Sequence, residues 1–229
     1  MKSYGIVAGT AAALTLAACG GGSQQGSDEP KGNYNVTIEK ASFPVSQSLA
    51  QQAHLVITVR NTDQRTIPDI AVTITDPTLK TTAQAFAYRL SSPSLPELAY
   101  ASRPVWIVDQ GPDPSGAPKA CPPDGGQGYQ GNYSTCTGGP GGAVTAYANT
   151  WALGPLKPGA TATFDWTVTA VHAGAHPVHY EVAAGLTGKA KAVTQGGATP
   201  QGTFDVNVHG TPEQSYVNDA GQVVNIPPK

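Results

Sequence analysis

Charge is scarce in this chain. Lys and Arg total 13, Asp and Glu total 15, and charged side chains make up 12% of 229 residues, about half the usual share for a soluble domain. The formal net charge is −2 and no basic block stands out, which argues against a nucleic-acid binder. No apolar run reaches the roughly 18 residues of a spanning helix. Leucine is thin beside valine and threonine, which disfavours a helical bundle. G-x-S-x-G, H-E-x-x-H, a phosphate loop and a dinucleotide fingerprint are all missing. The sequence therefore names no reaction, and it is read as a non-enzyme without a cofactor. What abounds is backbone punctuation: 27 glycines and 20 prolines, nearly double the ordinary rate.

The first residues carry an address. Lys2 supplies a positive start, and Ile6 to Ala18 is a short alanine-rich apolar run ending in small residues, as an export signal does. It closes as Leu16-Ala17-Ala18-Cys19 and is followed by Gly20-Gly21-Gly22-Ser23. This is similar to the bacterial lipobox, whose cysteine is acylated after the chain is cut before it. The resemblance implies a signal peptide over 1–18, lipidation at Cys19, and a body held on the extracytoplasmic face of a cell membrane. Each buried methylene contributes about 0.8 kcal/mol, so one acyl chain holds weakly and two or three hold stably. Residues 19–33 lack apolar periodicity and are expected to form a flexible tether.

With Cys19 lipidated, Cys121 and Cys136 remain. Outside the cytoplasm they most simply pair with each other. The loop between them has 14 residues, and closing it would stabilise the fold by about 3 kcal/mol in the chain-entropy model. The alternative, a metal site, needs further ligands, and no Cys or His lies between or close beside them.

From Tyr34 onward the pattern has period two. Val36 and Ile38 mark one strand, and Leu55, Ile57 and Val59 another. Ile70, Val72 and Ile74 alternate with polar or small neighbours. So do the run from Ala162 through Phe164, Trp166 and Val168 to Ala170, then Val178, Tyr180 and Val182, then Phe204, Val206 and Val208. Strands with one apolar and one polar face suit two antiparallel sheets packed face to face. Turn signals such as Asn61-Thr62-Asp63 and Pro158-Gly159 fall at sandwich spacing. The expected fold is all-β, an antiparallel sandwich over 34–211 with a long insertion at about 78–147. Pro104 to Val108 reads as an edge strand, and Lys189 to Ala192 as a charged edge strand. Ser46 to Ala53 is the best, though short, helix candidate. The tail over 212–229 is expected to be extended, with one weak hairpin about Asn218 to Gly221.

Two segments carry a family likeness. One runs from Val56-Ile57-Thr58-Val59-Arg60-Asn61-Thr62 to Ile67-Pro68-Asp69-Ile70 and on through Ile74; the other runs from Leu153-Gly154-Pro155-Leu156-Lys157-Pro158-Gly159 to Phe164. Together they resemble bacterial surface Ig-like modules of the CARDB and DUF11 kind. The resemblance implies an Ig-like sandwich attached to the wall or membrane, with an adhesive or spacer role and no catalytic residues.

Candidate sites follow from composition. The loop stapled by Cys121 and Cys136 is rich in Gly and carries Tyr129, Asn132 and Tyr133, the residue types that binding loops use for large, adaptable contacts. An envelope protein or a glycan is the expected partner. Trp106, on an expected edge strand, is a further candidate ligand contact, whereas Trp166 is in phase with the core. His172, His176 and His179 invite a metal reading. However, His176 and His179 point to opposite faces of one strand, and two ligands without a nearby Cys or carboxylate pair make a poor site. Asp109 to Ser115 carries oxygen ligands at irregular spacing and suits a linker better than calcium. The functional expectation is a lipid-anchored interaction, adhesion or structural module. The alternative is a lipid-anchored small-ligand or metal-binding protein.

Overall fold

A computed structural model describes residues 24–79, 84–88, 104–112, 143–212 and 214–226. Among them every regular element is a strand: β1 (Gly32–Ser42), β2 (Ser46–Ser48), β3 (Gln52–Asn61), β4 (Ala71–Thr75), β5 (Phe86–Tyr88), β6 (Trp106–Gln110), β7 (Thr150–Ala152), β8 (Thr161–Ala170), β9 (Gly174–Ala183), β10 (Ala190–Val193), β11 (Gln201–His209), β12 (Gln214–Val217) and β13 (Val223–Ile226). Six strands form one sheet in the order β10-β1-β3-β8-β6-β5, and five form a second in the order β2-β11-β9-β4-β7.

The alternation read from sequence is the alternation that is buried. Leu55, Ile57 and Val59 of β3, Phe164, Trp166 and Val168 of β8, and Val178, Tyr180 and Val182 of β9 all join one core. Their neighbours Arg60, Asp165 and Glu181 face solvent. A strand with side chains on alternate faces can bury only one of them against a partner sheet. The sheets meet through aromatic rings. Trp151 of β7 meets Trp166 of β8 edge-on at 5.5 Å, and Phe86 of β5 approaches Trp151 at 6.3 Å. Ile38 is less buried than its phase predicts, because β1 and β3 slip register between Ile38 and Lys40, a bulge that re-aims the strand.

The expected antiparallel sandwich is present, with its periphery corrected. The inner pairings are antiparallel, but β10–β1, β5–β6 and β2–β11 are parallel. β1 serves two neighbours in turn: residues 32–35 pair with β10 and residues 36–42 with β3. β6 is not an edge strand, since it lies between β8 and β5. Ser46 to Ala53 is not a helix. It contains β2, then a tight turn in which Ala50 has φ 62°, held by Ala50 N–H donating to the Ala170 carbonyl at 2.8 Å.

The stretch expected as a flexible tether is docked from Gln24 onward. The Glu29 carboxylate accepts from the Leu186 amide at 2.6 Å and from the amide and hydroxyl of Thr187 at 3.1 and 3.0 Å. Gln25 accepts from the Ala146 amide at 2.8 Å and from the Tyr147 hydroxyl at 3.0 Å, and Lys189 donates to the Ser27 carbonyl at 2.7 Å. Gly185 leaves room for this clasp, because a Cβ at that position would overlap the Glu29 carboxylate and displace it.

Candidate functional site

The residues with the most organised polar chemistry lie at one end of the sandwich, under the turn leading into β9. His176 is in phase with Val178 and Tyr180, so its imidazole points inward, where it is 5% exposed. Asp76 follows Val72 and Ile74 at the same two-residue interval. Thr75 pairs with His179 across β4 and β9, so one step further Asp76 stands diagonal to His176, within side-chain reach. Asp76 Oδ2 lies 3.0 Å from His176 Nδ1. Asp76 Oδ1 accepts from the Thr78 amide at 2.8 Å and the Thr78 hydroxyl at 2.6 Å, in a turn where Leu79 N–H donates to the Asp76 carbonyl.

This network assigns the histidine tautomer. A carboxylate only accepts, so in the neutral ring His176 Nδ1 carries the proton and Nε2 is left with a lone pair. That lone pair faces Nδ1 of His172, 3.4 Å away. His172 is exposed, so the chain Asp76–His176–His172 runs from the interior to the surface. The group that meets Nε2 is another imidazole rather than a nucleophilic hydroxyl.

Trp106 belongs to the same cluster, and the expectation of a surface ligand contact is corrected. It is among the largest fully buried side chains. Its ring packs edge-on to His176 at 5.7 Å, and its indole N–H donates to Gln47 Oε1 at 2.7 Å. The Gln47 amide in turn donates to the Pro44 carbonyl at 2.7 Å. A buried indole needs such an acceptor, and β2 supplies it because it pairs with β11 at Gln47↔Val208.

The other sequence candidates are dispersed. His179 sits on the opposite face of β9 from His176, 3.3 Å from the Thr203 hydroxyl. Asp109 lies on β6, where Oδ2 accepts from the Thr169 hydroxyl at 2.5 Å and from the Gln52 amide at 3.3 Å. Asp113 and Ser115 lie outside the described residues, as do Cys19, Cys121, Cys136, Tyr129, Asn132 and Tyr133.

Two carboxylates elsewhere are shifted in opposite directions. Arg65 beside Asp63, its Nε 3.1 Å from Oδ1, holds that carboxyl down to about 2, helped by the amides of Asn35 and Arg65. Arg65 also lies over the Tyr34 ring at 4.5 Å and donates to the Asn33 carbonyl. Burial pushes Asp69 up, against the lowering effect of the Gly154 amide that it accepts from and with a further push from Glu29.

A separate feature is the β12–β13 hairpin, which pairs only with itself. Tyr216 is 54% exposed, Val217 66%, Val223 68% and Ile226 43%. None of them joins the core.

The fold is thus an all-β sandwich with an internal histidine–carboxylate cluster at one end and an apolar hairpin outside its core. No family model matches the chain, and no curated protein matches it. Among solved structures, the native conformation of E. coli alpha-2-macroglobulin is similar at a TM-score of 0.35 with 12% identity. That match covers 79% of this chain, which spans 7% of the length of that one.

Proposed function

We propose that this chain is a cell-envelope lipoprotein, acylated at Cys19 and held on the extracytoplasmic face of a bacterial membrane, whose sandwich is a non-enzymatic interaction, adhesion or structural module. The observation that carries the reading is the hairpin of β12 and β13. Four large apolar side chains project there into solvent, and none of them belongs to the sandwich core. A two-stranded hairpin alone is marginal in water, and apolar surface of this kind marks contact with something else. The lipobox-like Leu16 to Cys19 supports the anchor. The two segments resembling CARDB and DUF11 modules support the Ig-like, surface-attached class, since they meet in space at Asn61, whose side chain donates to the Leu156 carbonyl at 2.8 Å.

Two measurements test it. In an expressing bacterium, labelled palmitate should enter the parent chain and not Cys19→Ser, and Cys19→Ser should leave the membrane fraction. A photocrosslinker at Tyr216 should give a discrete adduct with an envelope component on intact cells, lost in Val217→Glu/Val223→Glu. Tyr129→Ala/Tyr133→Ala, tested in parallel, reports whether the cysteine-flanked loop shares the contact. Unlabelled parent chain, or a crosslinker that gives no adduct on intact cells, would overturn the reading.

A further inference from the structure

We propose that His172 and His176 form a binding site for one divalent transition-metal ion of the copper–zinc class, with Asp76 as the carboxylate that orients it. The inference does not rest on the interaction role. It rests on how the two imidazoles face each other.

The first support is distance. His172 Nδ1 and His176 Nε2 are 3.4 Å apart. Two nitrogens each bound at about 2.0–2.1 Å to a tetrahedral ion stand roughly 3.3 Å apart. The two nitrogens therefore already have the spacing of a chelating pair. The rings are inclined at 61° with centroids 5.4 Å apart, so they meet by their edges rather than stacking.

The second support is the outer partner. A metal-bound histidine characteristically gives its other N–H to a carboxylate, which fixes the tautomer and makes the free nitrogen a better donor. Asp76 does this for His176 at 3.0 Å, and Thr78 holds the far oxygen of Asp76. The Trp106 edge fixes the ring's orientation from another side. The carboxylate and its turn thus hold the imidazole so that Nε2 meets another histidine.

The third support is that a glycine stands beside that nitrogen. Gly174, with φ 137°, lies so that an added Cβ would come within 3.3 Å of His176 Nε2. A side chain there would press on the nitrogen that would bind the ion. The site is also reachable, because His172 is exposed while His176 is buried.

Among the described residues no group of three His, Cys, Asp or Glu side chains converges on one point. The protein supplies two ligands, and water or a donor from another molecule completes the shell. Such a site is open, unlike a closed structural one. Imidazole suits copper and zinc, and copper(II) binds a given nitrogen site the more tightly. On binding, the proton at His172 Nδ1 passes through solvent to Nε2 of the same ring, and no redox step is involved.

The test uses the full chain and copper(II) alone. Calorimetric titration should find one site per chain, and the paramagnetic resonance spectrum should show two imidazole nitrogens on the ion. His172→Ala removes an exposed ligand without opening the core, and should weaken the site at least tenfold and lose one nitrogen coupling. Asp76→Asn should weaken it about 10- to 100-fold. His54→Ala and His209→Ala should change nothing. Zinc should raise the melting temperature of the parent and not of His172→Ala. Copper bound equally well by His172→Ala, or a spectrum without two nitrogens in the parent, would overturn the assignment.

Discussion

The side-chain amide of Asn61 donates to the Leu156 carbonyl at 2.8 Å and to the Arg65 carbonyl at 2.9 Å, while its oxygen accepts from the Asp63 amide at 2.9 Å. One fully buried polar residue thereby fastens the end of β3, the turn after it and the approach to β8. The backbone completes the knot, with Asn61 N–H donating to the Ala160 carbonyl and Gly159 N–H to that of Asn61.

Asn61→Leu should therefore be among the costliest polar substitutions in the chain. It leaves the part-buried Arg65 carbonyl and Asp63 amide without the side chain that pairs them, and takes one of its two donors from the Leu156 carbonyl, which keeps the Ile67 amide. An unpaired group costs about 1–3 kcal/mol when desolvated. We expect a loss of about 2 kcal/mol or more in urea unfolding. Asn61→Asp should also destabilise, because a carboxylate cannot donate to Leu156 or Arg65.

Gly159 has φ 72° and nothing within reach of an added Cβ. It follows Lys157-Pro158 in a turn closed by Ala160 N–H to the Lys157 carbonyl at 3.1 Å, with proline and glycine where a type II turn wants them. Gly159→Ala should cost about 1–2 kcal/mol by backbone conformation alone, seen as a lower urea midpoint with an unchanged slope.

Gln47 and Trp106 should be coupled. Gln47→Leu leaves the indole N–H unpaired and should destabilise by about 1–3 kcal/mol. In a Trp106→Phe background the same substitution should cost much less. A double-mutant cycle by chemical unfolding measures the difference, and additivity within about 0.5 kcal/mol would show that the bond contributes nothing specific.

The two shifted carboxylates predict opposite pH effects. Asp63 has a folded-state pKa of about 2, below its ordinary value of 3.8, so it stabilises the fold above the ordinary value. That stabilisation is lost as pH falls from about 4 towards 2, and Asp63→Asn should flatten the acid limb of the stability curve. Asp69 is shifted upward, chiefly by burial. Its favourable contribution is present below the ordinary carboxylate value and lost as pH rises through the higher folded value. Asp69→Asn keeps an acceptor for the Gly154 amide, 2.9 Å away. It should raise stability at neutral pH, with the gain vanishing in acid. A pH-independent difference from the parent would contradict this.

The strands were legible because a half-buried sheet imposes its two-residue period on the chain, and Phe164, Trp166 and Val168 obey it. The same period held information about the histidine cluster. His176 continues the phase of Val178 and Tyr180, and Asp76 that of Val72 and Ile74, so a polar residue on an inward phase signals a partner in the interior. That the two meet depends on β4 pairing with β9, a contact across 100 positions that no local pattern encodes. The parallel outer pairs were hidden for the same reason. Trp106 was misplaced because proline at the start of its strand looks like an edge, whereas Pro104 lies just outside the paired residues 106–110. The docked segment 24–31 was missed because it is held by polar side chains and backbone groups, which leave no hydrophobic period to read.

That docking bears on how the body would stand above a bilayer. Only five peptide steps separate Cys19 from Gln24, a reach of about 17–18 Å when stretched. With Glu29 and Gln25 clasping the turns at Leu186 and Ala146, an acylated chain would ride close over the lipid headgroups, like a buoy moored on a short line. Releasing the clasp by Glu29→Ala would lengthen the mooring and widen the patch of surface the domain can sweep.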